Sequence, residues 1–262
     1  MQINNDISLV VNTTPSYHDV AKIFLKQRRI YVSNYTAYIF SENSNDLRLG
    51  VGEELLRYSK SNFRDEYLMC LARVPSEYVI TSNDDYLFVG YPKVDKINHI
   101  LDILSCTQYS FVRLHRGYNY SNIKISENIF ELDQNKNYYY TQGLTIWKKA
   151  DLEKLFEATP PSGIGRKIHE VQFENIANYY IRELGMLGLY FYESERKRGM
   201  YHYDCSVMPH IASAIVDGKW NFAEYQIELK EILAEYNVNT ELRGIYSYTV
   251  LQTIKRYLLW KY

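Results

Sequence analysis

The chain has 262 residues, 46% of them hydrophobic and 23% charged, enough apolar material for a substantial core and too ordered a composition for a disordered protein. Thirty Lys and Arg stand against 31 Asp and Glu, a formal net charge of -1, so nothing draws the whole molecule toward nucleic acid or an anionic membrane, and an anionic ligand must be held by a local cluster. Three cysteines, Cys70, Cys106 and Cys205, far apart in the sequence, read as reduced buried thiols.

Ile7–Val11 is a β-branched run closed by Asn12-Thr13-Thr14-Pro15, after which Ser16-x-x-Asp19 reads as a capping box opening a helix. Arg29–Ser33 reads as the second strand, giving the strand, helix, strand order of a parallel sheet. A helix is expected from about Asn62, with Phe63, Tyr67, Leu68, Leu71 and Val74 on one face, leading into a strand at Tyr78–Thr81 that ends at Asn83-Asp84-Asp85. The alternation continues through a helix over Val94–Leu104 and a strand at Tyr109–Arg113. Residues 119–137 are polar and rich in turn formers. Tyr138–Thr141 and Leu144–Trp147 bracket Gln142-Gly143, and Ala150–Glu157 is helical. Thr159–Gly165 is a connector or a lid, Ile168–Leu184 carries a helical apolar stripe, and Ala223–Tyr236 is a further amphipathic helix. The domain reading is residues 1–220 as one α/β domain, with 221–262 a helical extension packed on it.

Adjacent carboxylates at the carboxyl end of a strand in an open α/β sheet lie where such folds bind ligands. Hard divalent ions take such oxygens together with phosphate oxygens. Asn-Asp-Asp is also a common turn composition, so the triplet alone leaves both readings open. Glu170 and Glu174, four apart on one face of the late helix, are candidates for a general base, and equally for negative charge placed near a helix N-terminus. Arg113, Arg116, Arg166, Lys167 and Arg196–Arg198 are the cations available for phosphates. Trp147, Trp220 and Tyr138–Tyr140 suit core packing or stacking on sugar rings. No zinc-type Cys/His spacing, phosphate-binding loop or nucleophile elbow occurs.

Ile7–Val11 with its Thr13-Thr14 turn, Tyr78–Phe88, Phe111–His115, Gly143–Lys149 and Ala214–Trp220 stand in an order that resembles small GT-A glycosyltransferases of bacterial and viral polysaccharide synthesis. The resemblance implies a GT-A-like, Rossmann-related α/β sandwich with a mostly parallel central sheet and a short helical C-terminal extension. It implies a metal-dependent, inverting transfer of a hexose or deoxyhexose from a nucleotide-sugar donor to a glycan or lipid-linked glycan. Mn²⁺ or Mg²⁺ would be held by Asp85, with His202 completing the coordination. The donor would meet Thr13, Thr14, Asn83, Asp84, Arg113 and Arg198, and Glu170 or Glu174 would act as base. The family's usual motif is Asp-x-Asp or an acidic residue before the pair; Asn83 replaces that acid but still offers a carbonyl oxygen. The alternatives are a catalytically silent carbohydrate-binding or scaffold protein of this fold, and a sugar nucleotidyltransferase, which normally has a Gly-rich basic loop where this chain has Asn12–Pro15. A polar start without an apolar run, and no stretch of about 18 apolar residues, lead to the expectation of a cytoplasmic protein. Its aromatic-basic end, Tyr248–Tyr262, would touch membranes at most weakly.

Overall fold

The computed structural model describes residues 6–42, 46–118, 120–160, 162–163, 166–167, 170–198, 202–249 and 251–252. Nine strands form one sheet: β1 (Ile7–Asn12), β2 (Ala37–Ser41), β3 (Glu53–Arg57), β4 (Tyr78–Asn83), β5 (Tyr109–Arg113), β6 (Tyr120–Ser126), β7 (Ile129–Leu132), β8 (Thr145–Lys148) and β9 (Leu187–Phe191). Their order is β3-β2-β1-β4-β8-β5-β9-β7-β6. The first four are parallel neighbours, β8 runs antiparallel to both β4 and β5, and β5 and β9 are parallel again. Only β7 and β8 oppose the common direction, so the sheet is mostly parallel, and the α/β class expected from the sequence is the one observed.

Helices cover both faces because the central strands are apolar on both sides. On β1 and β4, Leu9, Val11 and Ile80 point into one core and Val10 and Val79 into the other, following the period of two. The first core is closed by helices α1 (His18–Tyr31), α3 (Val94–Cys106) and α6 (Phe222–Glu235), through Phe24, Ile100, Leu104, Leu229 and Leu233 among others. The second is closed by α2 (Phe63–Leu71), α4 (Lys149–Ala158) and α5 (Glu170–Glu183), through Tyr67, Leu71, Leu155, Phe156, Phe173 and Ala177. Among the described residues no helix is long and apolar enough to cross a membrane.

Four local expectations are corrected. The segment expected as a strand at Arg29–Ser33 continues α1 to Tyr31, and the second strand is Ala37–Ser41. Arg28 decides this: its buried guanidinium donates to the carbonyls of Tyr35, Gly52 (2.9 Å) and Val51 (3.2 Å), pinning the chain beyond the helix. Ser16 does not cap α1. It lies in the 3-10 turn Pro15–Tyr17, and α1 starts at His18 without a side-chain cap. The polar stretch 119–137 holds β6 and β7, an antiparallel pair at the sheet margin, and Tyr138–Thr141 is a loop with Tyr139 and Tyr140 buried. Cys106 is exposed, while Cys70 and Cys205 are buried as expected.

Candidate functional site

The parallel register pairs Asn12 with Asn83, so the next residues, Thr13 and Asp84, leave the sheet side by side. Their side chains meet: Thr13 Oγ1 donates to Asp84 Oδ2 at 2.5 Å, with both residues buried. The Thr13 amide is held by the Phe40 carbonyl at the end of β2, 3.0 Å away, so this pair is anchored to three strands at once. Asp85 follows in a turn closed by the Tyr86 amide on the Asn83 carbonyl. Its main-chain oxygen accepts from the Ala214 amide at 2.9 Å, and its carboxylate accepts from the Ile215 amide. Asp85 lines a cavity, and protein surrounds its carboxyl; burial pushes the pKa up to about 7 against the opposing pull of the Ile215 and Asp85 amides.

That cavity, of about 710 Å³, lies beyond the carboxyl ends of β1 to β4. One wall is Asn12–Tyr17, the second runs from Tyr58 through Lys60–Phe63 to Glu66, and Asn83–Asp85 form the third, with Glu42 beyond β2. The second wall is shaped by the start of α2, where Asn62 accepts from the Asp65 amide at 3.1 Å and Glu66 accepts from the Ser61 amide at 2.6 Å. The lining includes four carboxylates, Glu42, Glu66, Asp84 and Asp85, and one ammonium, Lys60, which pairs with Glu42 at 3.5 Å.

Thr13, Thr14, Asn83, Asp84 and Asp85 are thus brought together by the fold. Arg113, Arg198 and Glu174 are not among the described residues lining this cavity, and each is engaged elsewhere. Arg113 is buried at the end of β5 and donates to the Tyr138 and Tyr139 carbonyls at 2.9 and 3.0 Å; burial draws its pKa down to about 10, opposed by Glu174, Tyr86 and Tyr139. Glu174 accepts the Gln142 amide at 2.6 Å. Burial raises its pKa, with that amide and Arg113 opposing, so the lost hydration outweighs the nearby cation. Arg198 bridges Asp204 (2.8 Å) and Glu228 (2.5 Å) on α6. Trp147 and Trp220 are buried in the core, not presented to a ligand. Glu170 is the first residue of α5 and His202 lies in a two-residue strand; their side chains, and those of Arg166 and Lys167, lie outside the described residues.

Among the described residues, no group of three or more His, Cys, Asp or Glu is arranged to hold a metal ion. Asp84 and Asp85 offer hard oxygens, and the cavity leaves room beside them. This donor set fits a divalent cation that completes its coordination with ligand phosphates and water rather than in a protein-only cage. Tyr58, Lys60, Glu42 and Glu66 belong to the cavity but to no motif; only the parallel strand order, which sets the ends of β2 and β3 beside β1, brings them there.

No known family model matches the sequence, and no curated protein sequence matches it. Solved structures are similar to it at low identity. Bifunctional IspDF from Campylobacter jejuni is 13% identical over 73% of this chain and 51% of that one, with a TM-score of 0.44. Residues 1–349 of TarS from S. aureus are 12% identical over 78% of this chain and 60% of that one, with a TM-score of 0.47. A CMP:2-keto-3-deoxy-manno-octonic acid synthetase complexed with CTP is 8% identical over 71% of this chain and 89% of that one, with a TM-score of 0.42. The chain therefore spans 51% and 60% of the first two structures.

Proposed function

We propose that this chain is a glycosyltransferase that binds a nucleotide-activated hexose or deoxyhexose, with Mn²⁺ or Mg²⁺, in the cavity at the carboxyl ends of β1 to β4. The observation that carries the reading is the charge of that cavity: four carboxylates face one ammonium around a Thr13-anchored Asp84. Such a lining repels a bare nucleoside diphosphate, whereas a divalent cation, which Asp85 would help to hold, would offset that repulsion. The cation would supply charge stabilisation for the departing diphosphate.

The chain's own residues divide the remaining work. Thr13 fixes Asp84 at the floor of the cavity, where its carboxylate is the proposed partner of a ribose hydroxyl, and the Tyr58 and Phe63 rings in the second wall offer apolar faces for a base. Asn83 contributes an amide beside them. Of the two candidate bases, Glu174 is committed to the Gln142 amide, so Glu170 is the proposed acceptor of the proton from a glycan or lipid-linked glycan hydroxyl. The wall Asn12–Pro15 has no glycine, unlike the loop a sugar nucleotidyltransferase places there.

Thermal shift against UDP-, GDP-, dTDP- and CMP-sugars, with and without Mn²⁺, tests the reading. At about 100 times Kd a ligand adds about 2.7 kcal/mol of stability, or about 5–10 °C in a chain of this size. A Mn²⁺-dependent shift with one nucleotide class, abolished in Asp85→Ala, is the expected outcome. No shift with any of them removes the proposal and leaves the silent-scaffold reading.

A further inference from the structure

We propose that Arg243, far from every motif in the sequence, is a positioning residue for the nucleotide cavity, closing a ring of contacts that holds the Thr13–Tyr17 wall against the turn carrying Asp84 and Asp85. The inference rests on the reading of that cavity as a nucleotide site.

The ring can be followed bond by bond. Thr13 is joined to Asp84, and Asp85 is joined through its carbonyl and carboxylate to the amides of Ala214 and Ile215. Ile215–Val216 and Lys219–Trp220 form a tight hairpin around Asp217-Gly218, both at positive φ, a two-residue turn that suits the twist of the paired strands. Along the outer side of this hairpin runs the chain that comes after α6: the Trp220 amide donates to the Gly244 carbonyl at 3.0 Å and the Tyr246 amide to the Trp220 carbonyl at 2.8 Å. Those bonds fix the backbone directly after Arg243, whose guanidinium then reaches across. Nη1 donates to the Gly218 carbonyl at 3.4 Å, Nη2 to the Ser16 carbonyl at 2.7 Å, and Nε and Nη2 grip the two Asp19 oxygens at 2.6 and 2.5 Å. The guanidinium also lies 4.8 Å from the centre of the Tyr17 ring.

Ser16 and Tyr17 line the cavity, and Asp19 sits in the first turn of α1 immediately behind them. Arg243 therefore bonds to the back of the wall whose front faces the ligand. Its fork geometry matters: five fixed donors satisfy a carboxylate and two carbonyls together, which the single ammonium of lysine cannot do. Chiefly the Asp19 hydrogen bond, with Asp84 also contributing, holds the Arg243 pKa above the usual arginine value against the cost of its burial, so the Arg243 charge is felt at the acidic turn as well as at the wall.

The test uses the full chain and binding of UDP, GDP, dTDP and CDP with Mn²⁺, followed by calorimetry with whichever probe the wild type binds. Arg243→Ala is expected to raise Kd about tenfold or more, since a charge-assisted fork is lost. Asp19→Arg and Arg243→Asp do the same singly, and the double charge swap recovers only part of the affinity, because the swapped pair restores the ion pair but not the donors to the Ser16 and Gly218 carbonyls. Hydrogen exchange in Arg243→Ala should rise at residues 16–19 and stay unchanged in α3; an equal rise in both overturns the positioning role. So does a wild-type Kd in Arg243→Ala, which leaves the cavity reading intact. Binding of no probe by the wild type overturns the cavity reading and this role with it. If Arg243→Ala does not fold, Arg243→Lys keeps the charge without the fork, and wild-type affinity in that variant refutes the proposal.

Discussion

Thr13 and Asp84 are 71 residues apart in sequence, yet one hydrogen bond makes them a unit. Thr13→Val keeps the shape and removes the donor, leaving a buried carboxylate short of a partner at a cost of about 1–3 kcal/mol. The variant should melt lower and lose the Mn²⁺-dependent nucleotide shift, while Thr14→Val, one residue along at an exposed position, leaves melting unchanged. Asp19 makes the pH-dependent counterpart. Burial works to raise its pKa, but the Arg243 hydrogen bond and charge outweigh it and hold the group below its ordinary 3.8. A lowered carboxylate pKa contributes stability above that value and loses it as the pH falls through the folded pKa. The melting-temperature gap between wild type and Asp19→Asn should thus be constant at neutral pH and close as the pH is taken below 3.8. Of these residues, Thr13 and the acidic pair were legible in the sequence because each stands at the end of a β-branched run, where a strand must stop. Arg243 was not: it stands between Leu242 and Gly244 with no pattern around it, and its partners Ser16, Asp19 and Gly218 come from two distant segments.

At the scale of elements, β9 shows how tightly the second half of the sheet is fitted. A Cβ built on Gly188 would stand 2.1 Å from Phe111 Cζ, and that ring is stacked on Trp147 at 4.2 Å with Tyr139 edge-on at 5.8 Å. The aromatic layer has nowhere to go. Gly188→Ala should cost about 3 kcal/mol, at the upper end for overpacking, and a urea unfolding midpoint measures it. The period-two and helical patterns announced most buried elements, including β4, α3 and α6. They misjudged segments whose neighbours decide the outcome. Ile30, Tyr31 and Val32 favour a strand by composition, but α1 runs on to Tyr31 because Arg28 anchors the Tyr35 and Gly52 carbonyls beyond its end. Strands β6 and β7 escaped notice because β6 has no buried residue along its length and so no alternation of buried and exposed positions.

For the molecule as a whole, the two cores on either side of the sheet set the site at a crevice with contributions from both. Glu42 and Lys60 enter it from the ends of the outer strands, and α2 from the second-core face. The C-terminal part is not an ornament: α6 supplies Tyr225, Leu229 and Leu233 to the first core, and the residues after it reach back to Ser16 and Asp19. A chain ending at residue 238 retains α6 but lacks Arg243. It should keep its far-ultraviolet circular dichroism and lose the nucleotide-dependent melting shift; an undiminished shift would show that the cavity works without its outer strap.

The place of β8 in the sheet also bears on how the chain is made. Tyr78–Asn83 finds its second neighbour only in Thr145–Lys148, and β8 alone joins the first four strands to β5. A nascent chain emerging from the ribosome N-terminus first can assemble β1 to β4, but the apolar flank of β4 stays bare until β8 has been synthesised and turned back to run against it. Through that interval the half-built sheet offers an adhesive edge to any other strand nearby. The antiparallel insertion that joins the two halves of the sheet thus doubles as the step at which a crowded cell would need to keep two copies of this protein apart.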